Sequence, residues 1–306
     1  MTARTSPLRR GWPAVFAAAA LLLATAPAAA GVLDRARETS KLSFGYRADL
    51  RPFSHADAGA PAGYSIALCQ RVADAVKSAL KLPELRVEWV PVTAADRFEQ
   101  LAQGRIDADC GADTPTLGRR ASVDFSIPIA LAGVGAAMRV DGDRRVRDAL
   151  SGRSATALPV WRGRPGDLGG EVTLAVVGGS TIERDLLQAL AHRRITVTAA
   201  SVPDYAAGVR MVLERRAAAL FGDRPVLLDA AQRAPAAGQL VVLERRFSRE
   251  SIALALPRAD DDFRLLVDGT LSRFYRSPDF AALYAAHFGA PDAAMLEFFQ
   301  LVALPE

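Results

Sequence analysis

The sequence predicts an α/β protein of two lobes joined by two crossovers, with a cleft between them. Three observations lead there. Short strand patterns alternate with helical ones, the signature of mainly parallel sheets covered on both faces. The alternation occurs twice, on either side of a long apolar stretch at 129–140 that reaches away from the first unit. The last amphipathic stretches bring no sheet of their own, so they must pack back onto the first unit.

The elements follow in order. Residues 42–46 alternate as a strand. At 64–80, Ile66, Cys69, Val72, Ala73, Val76 and Leu80 recur at three- and four-residue spacing, which gives a helix one core face. Residues 85–92 alternate again, with Val87, Trp89 and Pro91 on one side and Arg86, Glu88 and Val90 on the other. A short helix at 94–103 and a short strand at 106–110 follow. Residues 141–170, rich in Arg, Gly, Asp and Pro, read as an irregular surface insertion, and Arg144-Arg145-Val146-Arg147 within it reads as a solvated face. The second unit has strands at 172–177, 195–198, 218–221 and 240–242, with helices at 181–191 and 205–215. A strand at 251–257 leads out of it, and helices at 260–275 and 279–288 close the chain. Lobe one therefore comprises 31–136 and the returning 251–306, lobe two comprises 137–250, and the crossovers lie near 136 and 250.

Residues 1–30 read as a secretory signal peptide. Arg9-Arg10 precede an apolar core at 15–24, and Ala28 and Ala30 meet the small-x-small cleavage rule, so the mature chain begins at Gly31. An uncleaved anchor is the alternative. No cysteine stands at the cleavage point for lipid attachment. The mature protein is thus expected outside the cytoplasmic membrane.

The 306 residues are 50% apolar and 24% charged, which argues against a membrane bundle, disorder or a repeat array. Of 38 basic residues, Arg4, Arg9 and Arg10 fall in the leader, which holds no acid; the remaining 35 bases face 34 acids. A basic field for nucleic acid is unsupported. Two cysteines and three scattered histidines make a poor metal site, and no cofactor is expected. Cys69 and Cys110 fit either a disulfide made in an oxidising compartment or two buried thiols.

Ligands of open α/β sheets bind beyond the carboxyl ends of the strands. Four segments come there: Gly45-Tyr46-Arg47 running on to Pro52-Phe53-Ser54; Cys110-Gly111-Ala112-Asp113-Thr114 followed by Arg119; Gly178-Gly179-Ser180-Thr181; and Phe221-Gly222-Asp223-Arg224-Pro225. Arg119 offers a fork of donors to a carboxylate. Thr114 adds a hydroxyl. Ser180 and Thr181 open a helix whose N–H groups favour an anion. Asp223 suits an ammonium, and Phe53 an aliphatic stem. A negative group on Arg119 and a positive one on Asp223 describe one end of an amino acid. Each residue also has a plainer reading: Ser180 as a helix cap with Glu183, Asp223 as a cap for the helix near Pro225, and Arg119 and Arg120 as surface charges.

With these segments in place, the chain resembles the extracytoplasmic solute-binding proteins that serve polar amino-acid ABC importers, and most of all their glutamate/aspartate-binding branch. The resemblance rests on Gly63-Tyr64-Ser65, Ile106-Asp107-Ala108-Asp109-Cys110-Gly111, the Thr114 to Arg119 spacing, Val123-Asp124-Phe125-Ser126, Gly179-Ser180-Thr181 and Phe221-Gly222-Asp223. It covers nearly all of 41–288 and is weakest at 141–170. It implies the two-lobed periplasmic binding protein fold of type II, the Venus-flytrap. It also implies Arg119 and Thr114 on the ligand α-carboxylate, a backbone carbonyl of Ala112 and the Asp223 carboxylate on its ammonium, and Ser180 and Thr181 joining as the cleft closes. Arg47 and Arg97 match arginines that reach an acidic side chain, and Cys69 and Cys110 match a bonded pair.

Three positions depart from the pattern. Asp113 stands where a small or hydroxylated residue is common and disfavours an acidic ligand unless paired, with Arg120 as a candidate partner. Pro115 removes a donor from the same loop. Tyr205 lies near a common histidine position. Glutamate or aspartate is the leading ligand, with glutamine, asparagine or a larger polar amino acid open.

The resulting expectation is a periplasmic monomer that captures an amino acid by lobe closure and hands it to a membrane permease, without catalysis. One rival is a periplasmic enzyme acting on a small cyclic carboxylate, with Asp113 or Asp223 as its acid or base; no carboxylate pair stands out in the sequence to support it. The other is a sensory module for a separate membrane receptor.

Overall fold

A computed structural model describes residues 30–152, 172–183, 197–234 and 238–305. Gly31–Glu306 forms one compact unit and Met1–Ala30 another, of which only Ala30 is described. The leader, the insertion beyond Gly152, most of the helix at 181–191 and the start of the strand at 195–198 lie outside the described residues.

Two sheets form the two lobes. The first runs Arg86–Val92, Lys41–Arg47, Ala108–Asp113, Glu250–Leu256, Asp124–Phe125, with Ala130–Ala132 also paired to Glu250–Leu256. Its first three strands are parallel and the strands around Glu250–Leu256 antiparallel. The second runs Val197–Val202, Val172–Val177, Ala219–Asp223, Val134–Arg139, Leu240–Val242, again parallel and then antiparallel. A small antiparallel sheet of Asp49–Leu50, Ser54–Asp57 and Ala60–Ala62 has no counterpart in the sequence reading.

Several elements fall as expected. The helix Tyr64–Leu80 keeps its bounds and buries Ile66, Cys69, Val72, Ala73 and Val76. Others shift for local reasons. The apolar stretch 129–140 is two strands, because Gly133 breaks it: Ala130–Ala132 belongs to the first sheet and Val134–Arg139 to the second. The chain passes from the first sheet to the second at Gly133, near the expected crossover. A Cβ there would stand 2.2 Å from the Ser248 carbonyl oxygen, so the outgoing and returning strands pass in direct contact. The Val134 N–H donates to Ser248 Oγ at 3.1 Å, and the Phe247 N–H to the Val134 carbonyl at 2.8 Å.

The helix at 94–103 shortens to Arg97–Ala102, since Thr93 and Asp96 make a turn before it. The strand at 106–110 becomes Ala108–Asp113, which admits two buried carboxylates that alternation cannot anticipate. Pro91 is exposed and Val90 packs inward instead, on an edge strand that tolerates proline. The start of the 141–170 insertion is helical: Arg144–Ser151 is capped by Asp143, with Val146 and Leu150 buried. The arginine run is thus only partly a solvated face, because Arg147 donates to the Arg139 carbonyl at 2.9 Å.

The returning helices Asp261–Tyr275 and Asp279–Phe288 pack on lobe one, joined by a further helix, Ala293–Val302. Asp260 links two helices, Val32–Thr39 and Asp261–Tyr275. Its Oδ1 accepts from the Phe263 N–H and its Oδ2 from the Val32 N–H, at the start of the helix Val32–Thr39. Among the described residues no helix is long and apolar enough to cross a membrane.

Cys69 and Cys110 form a disulfide that ties the helix Tyr64–Leu80 to the strand Ala108–Asp113. Opening this span of 41 residues is expected to lower stability by up to about 4 kcal/mol, by loop-closure entropy. Denaturant melts with and without reductant measure the change, and an unmoved midpoint contradicts it.

Candidate functional site

The strand Ala108–Asp113 lies inside the first sheet, and its end opens on the space between the lobes. That space is lined by Arg47, Arg97, Ala112, Asp113, Thr114 and Arg119 from lobe one. Ser180, Thr181, Tyr205 and Asp223 line it from lobe two. Eight of the nine expected ligand residues thus converge. Phe53 does not: it is fully buried and packs its ring on Phe288 at 5.2 Å, because the turn before it folds into the small sheet.

The cavity itself is about 40 Å³, well below the few hundred Å³ usual for a ligand pocket. The lobes touch at its rim. Gly179, at φ +74°, lies so close to Ala94 that a Cβ would meet the Ala94 carbonyl oxygen at 2.9 Å.

Buried charge dominates lobe one. Arg97 is 5% exposed and binds Asp113 Oδ1 through Nε at 2.7 Å; Asp109 Oδ2 lies 3.7 Å away. The other end of the guanidinium donates to the Ala94 carbonyl, and the group lies 4.0 Å above the Phe98 ring. Arg120, the candidate partner of Asp113, turns instead to Asp124 at 3.9 Å. Asp113 points inward because it ends a buried strand. Asp109 is wholly buried, and a Cβ on neighbouring Gly111 would lie 3.1 Å from its Oδ2, so the glycine leaves room for the carboxyl.

Among the described residues, neither oxygen of Asp109, nor Oδ2 of Asp113, meets a donor. The two carboxyl groups act on one another, and a proton on Asp109 would give it a donor toward Asp113. Burial pushes Asp109 well above the carboxylate range, and the Asp113 charge adds to it. Burial pushes Asp113 up as well, but Arg97 and the bond from Asp109 more than offset this and hold it below its ordinary value. A carboxylate pair that did not stand out in the sequence is therefore present.

Arg47 is also engaged. Its Nε and Nη2 fork onto Asp49 at 2.8 and 2.7 Å. Arg119 Nη1 donates to the Thr114 carbonyl at 2.9 Å, which folds the loop that carries both residues.

In lobe two, the cap reading of Ser180 holds. Its Oγ accepts from the Glu183 N–H at 3.3 Å, and Glu183 accepts from the Gly179 N–H at 3.0 Å. The cap reading of Asp223 does not, because its side chain makes no bond to the helix Arg224–Arg233. Tyr205 holds it instead: the hydroxyl donates to Asp223 Oδ2 at 3.2 Å and accepts from the Asp223 N–H at 3.1 Å. Burial, and then the nearby Glu250 charge, push the Asp223 carboxyl up to about 6, against the lowering effect of Tyr205 and Arg119.

The lining also includes Leu50, Ala94, Asp109, Val177 and Ile182, which the sequence reading did not select. Only Asp109 carried a signal, as a carboxylate inside an apolar strand pattern. Among the described residues no group of three His, Cys, Asp or Glu is placed to hold a metal ion.

The sequence model for bacterial extracellular solute-binding proteins, family 3, matches residues 42–290. The chain is 28% identical over 263 residues to the L-glutamate/L-aspartate-binding protein of Pseudomonas aeruginosa, covering 85% of this chain and 81% of that one. It is 24% identical over 253 residues to the glutamate/aspartate import solute-binding protein of Escherichia coli, covering 82% and 78%. Among solved structures, the cysteine-binding protein of Campylobacter jejuni aligns with TM-score 0.69 at 23% identity, covering 87% of this chain and 98% of that one. An ancestral amino-acid-binding protein, a precursor of cyclohexadienyl dehydratase, aligns with TM-score 0.66 at 24% identity, covering 85% and 100%. At these identities the structures establish the two-lobed fold.

The Tyr205 hydroxyl stabilises the ionised form of Asp223, so Tyr205→Phe is expected to move that carboxyl's titration upward from about 6. Carbon-detected NMR of the Asp223 carboxyl follows it, and a midpoint that stays or falls contradicts the assignment.

Proposed function

The chain belongs to the bacterial extracellular solute-binding proteins, family 3, and we propose that it captures an acidic amino acid, glutamate or aspartate, between its lobes and delivers it to an ABC-type permease. One observation carries the reading: the Arg119 guanidinium of lobe one and the Asp223 carboxylate of lobe two face a single cavity, close enough for Arg119 to lower the Asp223 titration. That arrangement complements a zwitterion, with the α-carboxylate on Arg119 and Thr114 and the ammonium on Asp223 and the Ala112 carbonyl. Arg47 and Arg97 supply the side-chain end, and relatives bearing the glutamate/aspartate name support that choice.

The mechanism is closure. With about 40 Å³ between the lobes, entry requires them to part. The strand contact at Gly133 and Ser248 is where two short crossovers can bend. Ligand then holds both lobes together through Arg119 and Asp223, biasing the equilibrium toward the closed form, whose rims meet the permease. No bond is made or broken, and the protein acts as a monomer. The leader at 1–30 directs it to the periplasm, with maturation at Gly31, the residue that caps the first helix.

A dehydratase reading has one observation in its favour, the titration of Asp223 at about 6, near that of a useful general acid. Turnover of a cyclic carboxylate would establish it over capture.

Calorimetry of the refolded, ligand-stripped mature protein tests the reading. Glutamate or aspartate is expected to bind saturably, and Arg119→Ala to weaken binding at least about a hundredfold by removing a charged fork. Affinity should also fall as the pH drops below about 6, since Asp223 must shed its proton to meet the ammonium. Selective binding of a neutral or basic amino acid contradicts the ligand assignment.

A further inference from the structure

The side-chain end of the cleft is already neutralised by the protein's own acids. Arg47 is forked onto Asp49, and Arg97 is bound to Asp113 with Asp109 beside it. A ligand carboxylate arriving at Arg97 meets a cation whose Nε is taken. Asp113 is 2% exposed and Asp109 fully buried, so solvent does little to ease a third negative charge. Carboxyl groups packed this tightly around one guanidinium do not all ionise; they share protons instead.

From this geometry, and resting on the acidic-amino-acid reading above, we propose that Asp113 determines specificity by competing with the ligand for Arg97, and that an acidic amino acid enters together with one proton. The ligand side-chain carboxylate replaces Asp113 at Arg97 Nε. Asp113 takes a proton from solvent, and Asp109 keeps its own. The two neutral carboxyls then donate to one another, which satisfies the oxygens that otherwise lack donors. Charge balances: one carboxylate and one proton enter, and the cluster's net charge is unchanged.

The surroundings fix where this shows. Arg47 from Lys41–Arg47, Arg97 from the helix Arg97–Ala102, and Arg119 beyond the strand's end act on the pair from lobe one. Asp223 faces it from lobe two, beside Tyr205. The strand Glu250–Leu256 pairs with it through Ala253 and Ala255, and its one ionisable group, Glu250, acts on Asp223. Asp223 releases a proton when the ammonium docks, with the opposite sign, but it titrates at about 6 and is largely ionised above pH 7. Arg97 keeps Asp113 ionised in the ligand-free cleft, and loss of Arg97 to the ligand lets burial raise it. Proton uptake on binding makes affinity fall as pH rises, by at most about tenfold per pH unit for one proton.

Calorimetry of glutamate binding at about pH 7 and about pH 8, each in two buffers of different ionisation heat, counts the protons directly. The expected result is close to one proton taken up per glutamate, a Kd that weakens several-fold across that interval, and no uptake with glutamine, which brings no second charge. Asp113→Asn is expected to bind glutamate more tightly near pH 8, because it removes the carboxylate that competes for Arg97 while Asp109 keeps its proton. Glutamate binding with no proton uptake and a pH-independent Kd overturns the proposal and leaves the acidic-amino-acid reading standing, as does weaker binding by a folded Asp113→Asn. No saturable binding of glutamate or aspartate at either pH overturns that reading, and this proposal with it.

Discussion

The bond between Arg97 and Asp113, with Asp109 behind it, is the constraint on which the rest of the site depends. It places a guanidinium and two carboxyls, all nearly or fully buried, at the end of an interior strand. A charge there survives only if paired, and breaking such a pair by removing one partner leaves an uncompensated charge. The disulfide from Cys110 to the helix Tyr64–Leu80, and the glycine beside Asp109, hold the strand where this pairing is made. The same pairing leaves the Arg97 cation that faces the cleft already satisfied.

The two lobes contribute unequally. Lobe one supplies three arginines and the buried acids, and lobe two supplies Asp223, positioned by Tyr205. On the proposed reading, lobe one takes the carboxylate and the ammonium is read once the lobes meet. On that reading, closure is part of recognition. The backbones of the two crossovers touch at Gly133 and Ser248, and the lobes touch at Gly179 and Ala94.

Much of this was legible in the sequence. The helix at 64–80, the paired lobes and the four loops at the strand ends follow from periodicity and from where α/β sheets bind ligands. The placement of Arg119 and Asp223 in the cleft followed from their position beyond the strand ends. What stayed hidden depends on partners distant in sequence. Nothing local shows that Asp113 meets Arg97 rather than Arg120, or that Tyr205 holds Asp223. Phe53 reads as a cleft aromatic until the small sheet folds it into the core. Gly133 splits an apolar run whose hydrophobicity is continuous, because both halves are buried, in different sheets.

The exchange of partners at Arg97 is tested most directly by a crystal structure of the mature protein with glutamate bound. The account predicts the α-carboxylate on Arg119, the ammonium on Asp223, and the side-chain carboxylate on Arg97 Nε with Asp113 turned away toward Asp109. Glutamate seated in the cleft with the Arg97–Asp113 bond still at 2.7 Å would contradict it.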